Sequence, residues 1–192
     1  PMGLDKGWSG YFLVADTGNH LIRRVFRILY GNAKGYTLAG VRGAGPGFKD
    51  GDADKARFNQ PADLVWDKDR ERVIIADRGN HRIRVWDKKT DKVSTLAGTG
   101  AAGCSDGAVS QARFNWPNGV SVASDGSVFV ADTGSNAVRL IKAGRVSAIV
   151  GDGLPGAITP FTGSRGRLRG PYGVTAVSAD DVLVADTGNH RV

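Results

Sequence analysis

His20, His81 and His190 stand at one place in a recurring pattern, and imidazoles held in register are a residue type that metal sites use. A metal centre needs its ligands to converge within about 2 Å of one ion. The residues around these three place them in turns, one repeat apart, and a fourth copy of the pattern carries Asn136 instead. The sequence therefore reads them as turn residues bonded to backbone, and it assigns no metal. Asp16, Asp77, Asp132 and Asp186 form a second set. Acid–base catalysis by carboxylates needs two that differ in environment, whereas these share one context. The first three are each followed seven residues later by an arginine, Arg23, Arg84 and Arg139. One acid and one base per unit predicts a repeated structural pair or turn clamp, with each carboxylate bonding N–H groups of its own turn. No catalytic residue is assigned.

Other beginnings of chemistry stop short. Asp50-Gly51-Asp52-Ala53-Asp54 starts like a calcium loop, but Lys55 stands where glycine is needed and Pro61 where a bidentate acid is needed. Cys104 is the sole cysteine, which excludes an internal disulfide and a structural thiolate metal site. Neither a G-x-S-x-G elbow nor a phosphate-binding loop ending in G-K-[ST] occurs. No cofactor is implied.

The elements that position these residues come from self-similarity. Val14-Ala15-Asp16-Thr17-Gly18-Asn19-His20 returns at Ile75 to His81, at Val130 to Asn136 and at Val184 to His190. Arg57-Phe58-Asn59-Gln60-Pro61 keeps step with Arg113-Phe114-Asn115-Trp116-Pro117 and, loosely, with Arg167-Leu168-Arg169-Gly170-Pro171. Within the third unit, short β-branched runs alternate with turn signals such as Asp125-Gly126. No segment has helical periodicity over a helix's length. The chain has 192 residues, 41% of them hydrophobic, and 28 are glycine without a three-residue period. That composition excludes a disordered tail and collagen. No apolar run reaches the ~18–20 residues of a membrane span, so no membrane insertion is expected. The fold class is all-β. Each unit reads as a four-stranded antiparallel meander followed by a glycine-rich crossover, and sheets of this kind stack radially as the blades of a β-propeller. A β-solenoid, with its shorter repeats, is the alternative.

The A-D-T-G-N-H-x-I-R pattern resembles the NHL repeat, and Asn19-His20-Leu21 spells the three residues for which that family is named. The long connections from Leu96 to Pro117 resemble a subgroup found in teneurin-like and thioredoxin-linked NHL proteins. The resemblance implies blades at 1–60, 61–116 and 117–170 and part of a fourth at 171–192, all in one propeller. It further implies a fragment of a ring of about six blades, within the usual range of four to eight. Flanking blades or domains of a parent chain are expected, or copies that associate to complete the ring.

In a propeller, the residue after the proline that opens each innermost strand faces the channel mouth. NHL-like amidating lyases carry zinc-binding histidines there. Here those places hold Met2, Ala62 (followed by Asp63), Asn118 and Tyr172, none of them such a ligand.

The charge is +7, of which six template arginines and four template aspartates account for +2. The rest is spread, except that Gly153 to Ala179 holds no acid, while Arg165, Arg167 and Arg169 alternate. That basic loop is a candidate for RNA, which some NHL propellers bind through a basic face. The reading favoured here is a non-enzymatic scaffold for a protein partner. RNA binding, and a channel-site lyase or lactone hydrolase, are the alternatives. A single cysteine and no N-x-[ST] acceptor favour an intracellular setting without fixing the compartment.

Overall fold

The run Val73-Ile74-Ile75-Ala76 has no polar residue at either parity, so the strand carrying it needs cover on both faces. The computed structural model, which describes residues 4–6, 11–26, 34–156 and 166–192, supplies that cover with neighbouring sheets. Met2 and Arg165 lie outside the described residues.

The first sheet comprises β1 (Leu4–Lys6), β2 (Tyr11–Asp16), β3 (Leu21–Phe26) and β4 (Lys34–Ala39), in that order. A two-residue strand, β5 (Gly51–Asp52), lies in the connection that follows. The second sheet runs through β6 (Pro61–Asp67), β7 (Arg72–Asp77), β8 (Arg82–Asp87) and β9 (Lys92–Ala97). After β10 (Gly107–Ala108), the third sheet comprises β11 (Pro117–Val122), β12 (Val128–Asp132), β13 (Ala137–Lys142) and β14 (Arg145–Val150). The fourth holds β15 (Gly173–Ala176) and β16 (Val182–Ala185). All pairings are antiparallel.

One feature departs from the four-stranded expectation. β5 pairs with β9, and β10 with β14, so the second and third sheets each gain a fifth strand at the outer edge. Each crossover thus runs beside the outer strand of the sheet it leads into. There it satisfies N–H and C=O groups that an open edge would leave unpaired.

Strand alternation distributes the core. Val73 and Ile75 of β7 point to one side, where they meet Leu13, Ile22 and Phe58. Ile74 and Ala76 point to the other, where they meet Phe114, Val120 and Val130. In β12 the same logic sends Phe129 and Ala131 toward Leu168 and Val174. β11 packs between β6 and β15, which sets the opening strands of successive sheets side by side. The result is a set of sheets stacked face to face with their first strands innermost, which is the propeller arrangement.

Phe58, Phe114 and Leu168 occupy one repeat position and are wholly or almost wholly buried between sheets. Deleting such a ring costs ~3–5 kcal/mol. Phe114→Ala should therefore lower the unfolding free energy by about that amount in urea titration; a loss under 1 kcal/mol would show that the inter-sheet seam is not where stability resides.

Candidate functional site

A guanidinium placed between two sheets needs its charge and its donors met on the spot. Arg84 projects from β8 with no exposed surface. Its Nη1 donates to Asp77 Oδ2 at 2.7 Å and to the Arg57 carbonyl at 3.2 Å. Its Nε donates to Asp50 at 3.0 Å, and its Nη2 to the Lys49 carbonyl at 2.8 Å. The guanidinium also stands 5.1 Å from the centre of the Phe58 ring. Arg139 on β13 repeats the arrangement at its two terminal nitrogens, with Asp132 (3.1 Å), the Arg113 carbonyl (3.0 Å), the Ser105 carbonyl (3.0 Å) and Asp106 (2.6 Å), while its Nε meets no acceptor among the described residues. In the first sheet Arg23 reaches Asp16 at 3.4 Å. In the fourth, Arg191 donates to Asp186 at 2.7 Å and to the Arg167 carbonyl at 3.1 Å.

The aspartates of these pairs also hold the chain around them. None caps the short helical turn that follows it. Instead Asp77, Asp132 and Asp186 accept the N–H of Asn59, Asn115 and Arg169, from the loop leading into the same sheet, at 2.7–2.8 Å. The loop and turn are tied again where the Gly134 N–H donates to the Asn115 carbonyl at 2.8 Å. A Cβ on Gly134 would stand 2.6 Å from that oxygen, so the approach needs glycine. Asn80 adds a bond from its amide to Asp77 and another to the Gly47 carbonyl, both 2.8 Å. Burial pushes the Asp77 carboxyl up against the pull of Arg84. It pushes Asp132 up to about 6 despite bonds from Asn115, Ser135 and Arg139. At Asp186 burial also acts upward, but the Arg169, Asn189 and Arg191 donors outweigh it and hold the carboxyl below its ordinary value.

Asp50 and Asp106 are the partners that sequence reasoning missed. Their shared Asp-Gly spacing before the A-R-F-N segment was the available signal. Asp50, which opened the calcium-like run, is taken up by Arg84 and by the Thr95 N–H and hydroxyl at 3.1 and 2.9 Å.

The histidines join neighbouring sheets. His20, His81, Asn136 and His190 each adopt the left-handed conformation at the end of the turn. The Nδ1 of His20 accepts the Gln60 N–H at 3.0 Å, and that of His81 accepts the Trp116 N–H at 3.2 Å. Asn136 Oδ1 accepts the Gly170 N–H at 2.9 Å in the same way. Each contact runs from one sheet's turn to the next sheet's lead-in loop.

Turns and lead-in loops share one face of the molecule, and three residues on it differ from the repeat. Arg78 stands where the other copies have Thr17, Thr133 and Thr187. Trp116 stands where Gln60 and Gly170 do, and Tyr172 where Ala62 and Asn118 do. The Arg78 guanidinium lies 5.3 Å from the Trp116 ring centre, and the His81 ring meets that indole edge-on at 5.9 Å. Arg78 donates to Gln60 Oε1 at 2.9 Å and reaches Asn118 Oδ1 at 3.4 Å. Asn118 Nδ2 donates to the Thr133 hydroxyl, which donates to the Pro171 carbonyl at 2.6 Å. A polar arc therefore crosses three sheets along their inner ends. Trp116 is 45% exposed and Tyr172 38%. Ala62 and Asn118 are buried, and Asp63 accepts the Val120 N–H at 3.0 Å across sheets. Of the basic loop, Arg167 pairs with Asp152 at 2.9 Å, and Arg169 is exposed. Among the described residues no helix is long and apolar enough to cross a membrane.

These stacked sheets, locked by repeated Asp–Arg hubs, define a β-propeller assembled from sequence repeats. A family model described as NHL repeat matches residues 58–86, 114–139 and 168–192. The chain belongs to the NHL-repeat family. It is 34% identical over 151 residues to NHL repeat-containing protein 2 of Gallus gallus, a match that covers 73% of this chain and 20% of that protein. The chain thus spans about a fifth of the length of that relative. A Bacteroides thetaiotaomicron protein of unknown function superposes with a TM-score of 0.69 at 16% identity, over 92% of this chain and 42% of its own. A streptogramin B lyase superposes with a TM-score of 0.58 at 13% identity, over 98% of this chain and 49% of its own, which is a likeness of fold.

Two outcomes are expected. Asp132→Ala leaves Arg139 buried without its inner carboxylate and should cost ~3–5 kcal/mol in denaturant titration. The second concerns pH. Burial, with the Arg82 charge beside it, lowers the His81 pKa, and a protonated Nδ1 cannot accept the Trp116 N–H. Its contribution is therefore present above the unfolded value near 6.5 and is lost as pH falls through the folded one. Asp132 acts oppositely over about pH 4–6, since its folded pKa is raised. Comparison with His81→Asn, in which Asp132 is unchanged, removes that background. The variant should lose less stability than the parent between pH 7 and 5, measured by thermal melting at each pH.

Proposed function

We propose that this chain is part of a protein-interaction propeller that docks its partner on the face carrying the helical turns. The observation that carries this reading is the exposed Trp116 indole, stacked with Arg78 at two positions where the repeat has other residues. Template side chains on this face have their polar atoms engaged in the hubs and inter-sheet bonds, whereas nearly half of Trp116 faces solvent. Aromatic and arginine side chains are the residues that dominate protein interfaces.

The alternatives draw on fewer contacts. For RNA, phosphate attraction requires clustered free cations, and Arg167 of the basic loop is held by Asp152. For a channel-site lyase or lactone hydrolase, Ala62 and Asn118 offer no metal ligand, and both are buried.

A photo-reactive phenylalanine analogue at position 172 of the full-length protein should cross-link to another polypeptide, and the product should resist nuclease. The same analogue at exposed position 68, on the opposite face, should not. Equal cross-linking from both faces, or products that nuclease digests, would overturn the reading.

A further inference from the structure

The bond that ties the second sheet's turn to Trp116 has an acceptor that acid removes. Nδ1 of His81 receives the Trp116 N–H at 3.2 Å, so the neutral ring carries its proton on Nε2. A second proton goes to Nδ1, and a donor then faces the Trp116 N–H where an acceptor had been. The next turn makes the same bond with different chemistry. Asn136 has the same left-handed backbone, and its Oδ1 accepts the Gly170 N–H at 2.9 Å. An amide does not titrate. The tie between the second and third sheets therefore responds to pH, and the tie between the third and fourth does not.

Trp116 is the residue that such a response reaches. It is held at φ 52°, in the left-handed region, where a bulky side chain carries a conformational cost. Strain of this kind persists only while its surroundings impose it. The residue before it is fixed by its own sheet: Asp132 accepts the Asn115 N–H at 2.7 Å, and the Gly134 N–H donates to the Asn115 carbonyl at 2.8 Å. Loss of the His81 bond thus lets the Trp116 backbone relax while Asn115 stays in place. The indole, 45% exposed and met edge-on by the same imidazole at 5.9 Å, moves with it.

The charges about His81 set where this happens. Burial, and after it the charge of Arg82, lower its pKa. Arg78 stands against the same indole. Asp77, at the start of the turn, is engaged by Arg84 and Asn80. The lead-in residues Asn115, Trp116 and Pro117, and Gly98 of the crossover, which approaches the His81 carbonyl, carry no ionisable side chain. An imidazolium gains no ion pair from this set, so the bond is intact at neutral pH and is lost as pH falls below the ordinary histidine value of about 6.5.

We infer that His81 is an acid-operated latch on the docking face, whose protonation frees Trp116 and releases a partner held there. This rests on the interaction-platform reading and adds its regulation.

The test uses the full-length protein labelled with 5-fluorotryptophan, the Trp116 fluorine resonance being assigned with Trp116→Phe. As pH falls from about 7.5 to 5, that resonance should shift with a midpoint below about 6.5. In His81→Asn, which supplies the acceptor that the third sheet uses, it should keep its position. Over the same range the polypeptide cross-link from position 172 should fall about fivefold or more in the parent, the worth of one hydrogen bond, and change less than about twofold in the variant. A resonance unmoved by pH, or moving alike in the variant, would overturn the latch. A resonance that moves while cross-linking stays constant would overturn its control of docking. Either result leaves the platform reading intact. No cross-link at any pH, with the resonance moving as expected, would overturn the platform reading and with it the release of a partner.

Discussion

The buried guanidinium of the second and third sheets is the constraint on which the rest of the structure turns. Arg84 and Arg139 have no contact with solvent, and an unpaired charge there would cost several kcal/mol. Their partners come from three separate stretches: the turn acid seven residues before, the lead-in carbonyl, and the crossover Asp-Gly more than thirty residues before. A sheet cannot satisfy its arginine until its crossover and lead-in loop are both in place. This ties segments that are distant in sequence into one cooperative unit. It also explains why the crossover belongs physically to the sheet that follows it, with β5 and β10 added to that sheet's outer edge.

Much of this organisation was legible before any coordinates. The two ordered landmarks fix the period, Asp125-Gly126 marks a hairpin, and the run at Val73 to Ala76 announces a strand covered on both sides. The pairing of Asp77 with Arg84 also follows from spacing, since their register brings them close across adjoining strands. What spacing could not convey is the third dimension of each contact. A carboxylate in a turn bonds local N–H groups by default, and nothing in the sequence says that Asp132 turns instead toward Asn115. Asp50 likewise sits among acids that suggest a cation, while the cation it meets is an arginine more than thirty residues away. The histidines looked local, and their partners are in the next sheet.

A repeat whose polar atoms are spent on holding itself together has a consequence for function. Asp, Asn, His and Arg of the template cannot be changed for the sake of a ligand without loosening a hub or an inter-sheet bond. Variation is cheap only where the backbone is fixed by other means. The position of Arg78 is one such place, because the turn is held by its neighbours Asp77, Gly79 and Asn80.

The position of Trp116 is another, and it shows how. Gln60, Trp116 and Gly170 differ as much in size and polarity as side chains can, yet their φ angles agree to within 3°. Each has its N–H held by the residue that ends the preceding sheet's turn, His20, His81 or Asn136. The bond across the sheets therefore dictates the backbone, and the side chain is left to vary above it. Strain at Trp116 is sustained by the same contact that holds two sheets in register, so the proposed docking face and a structural latch meet at one residue. That arrangement lets a single substitution place a new recognition group on the face without altering the stacking beneath, which is how blades of one pattern can come to differ in what they bind.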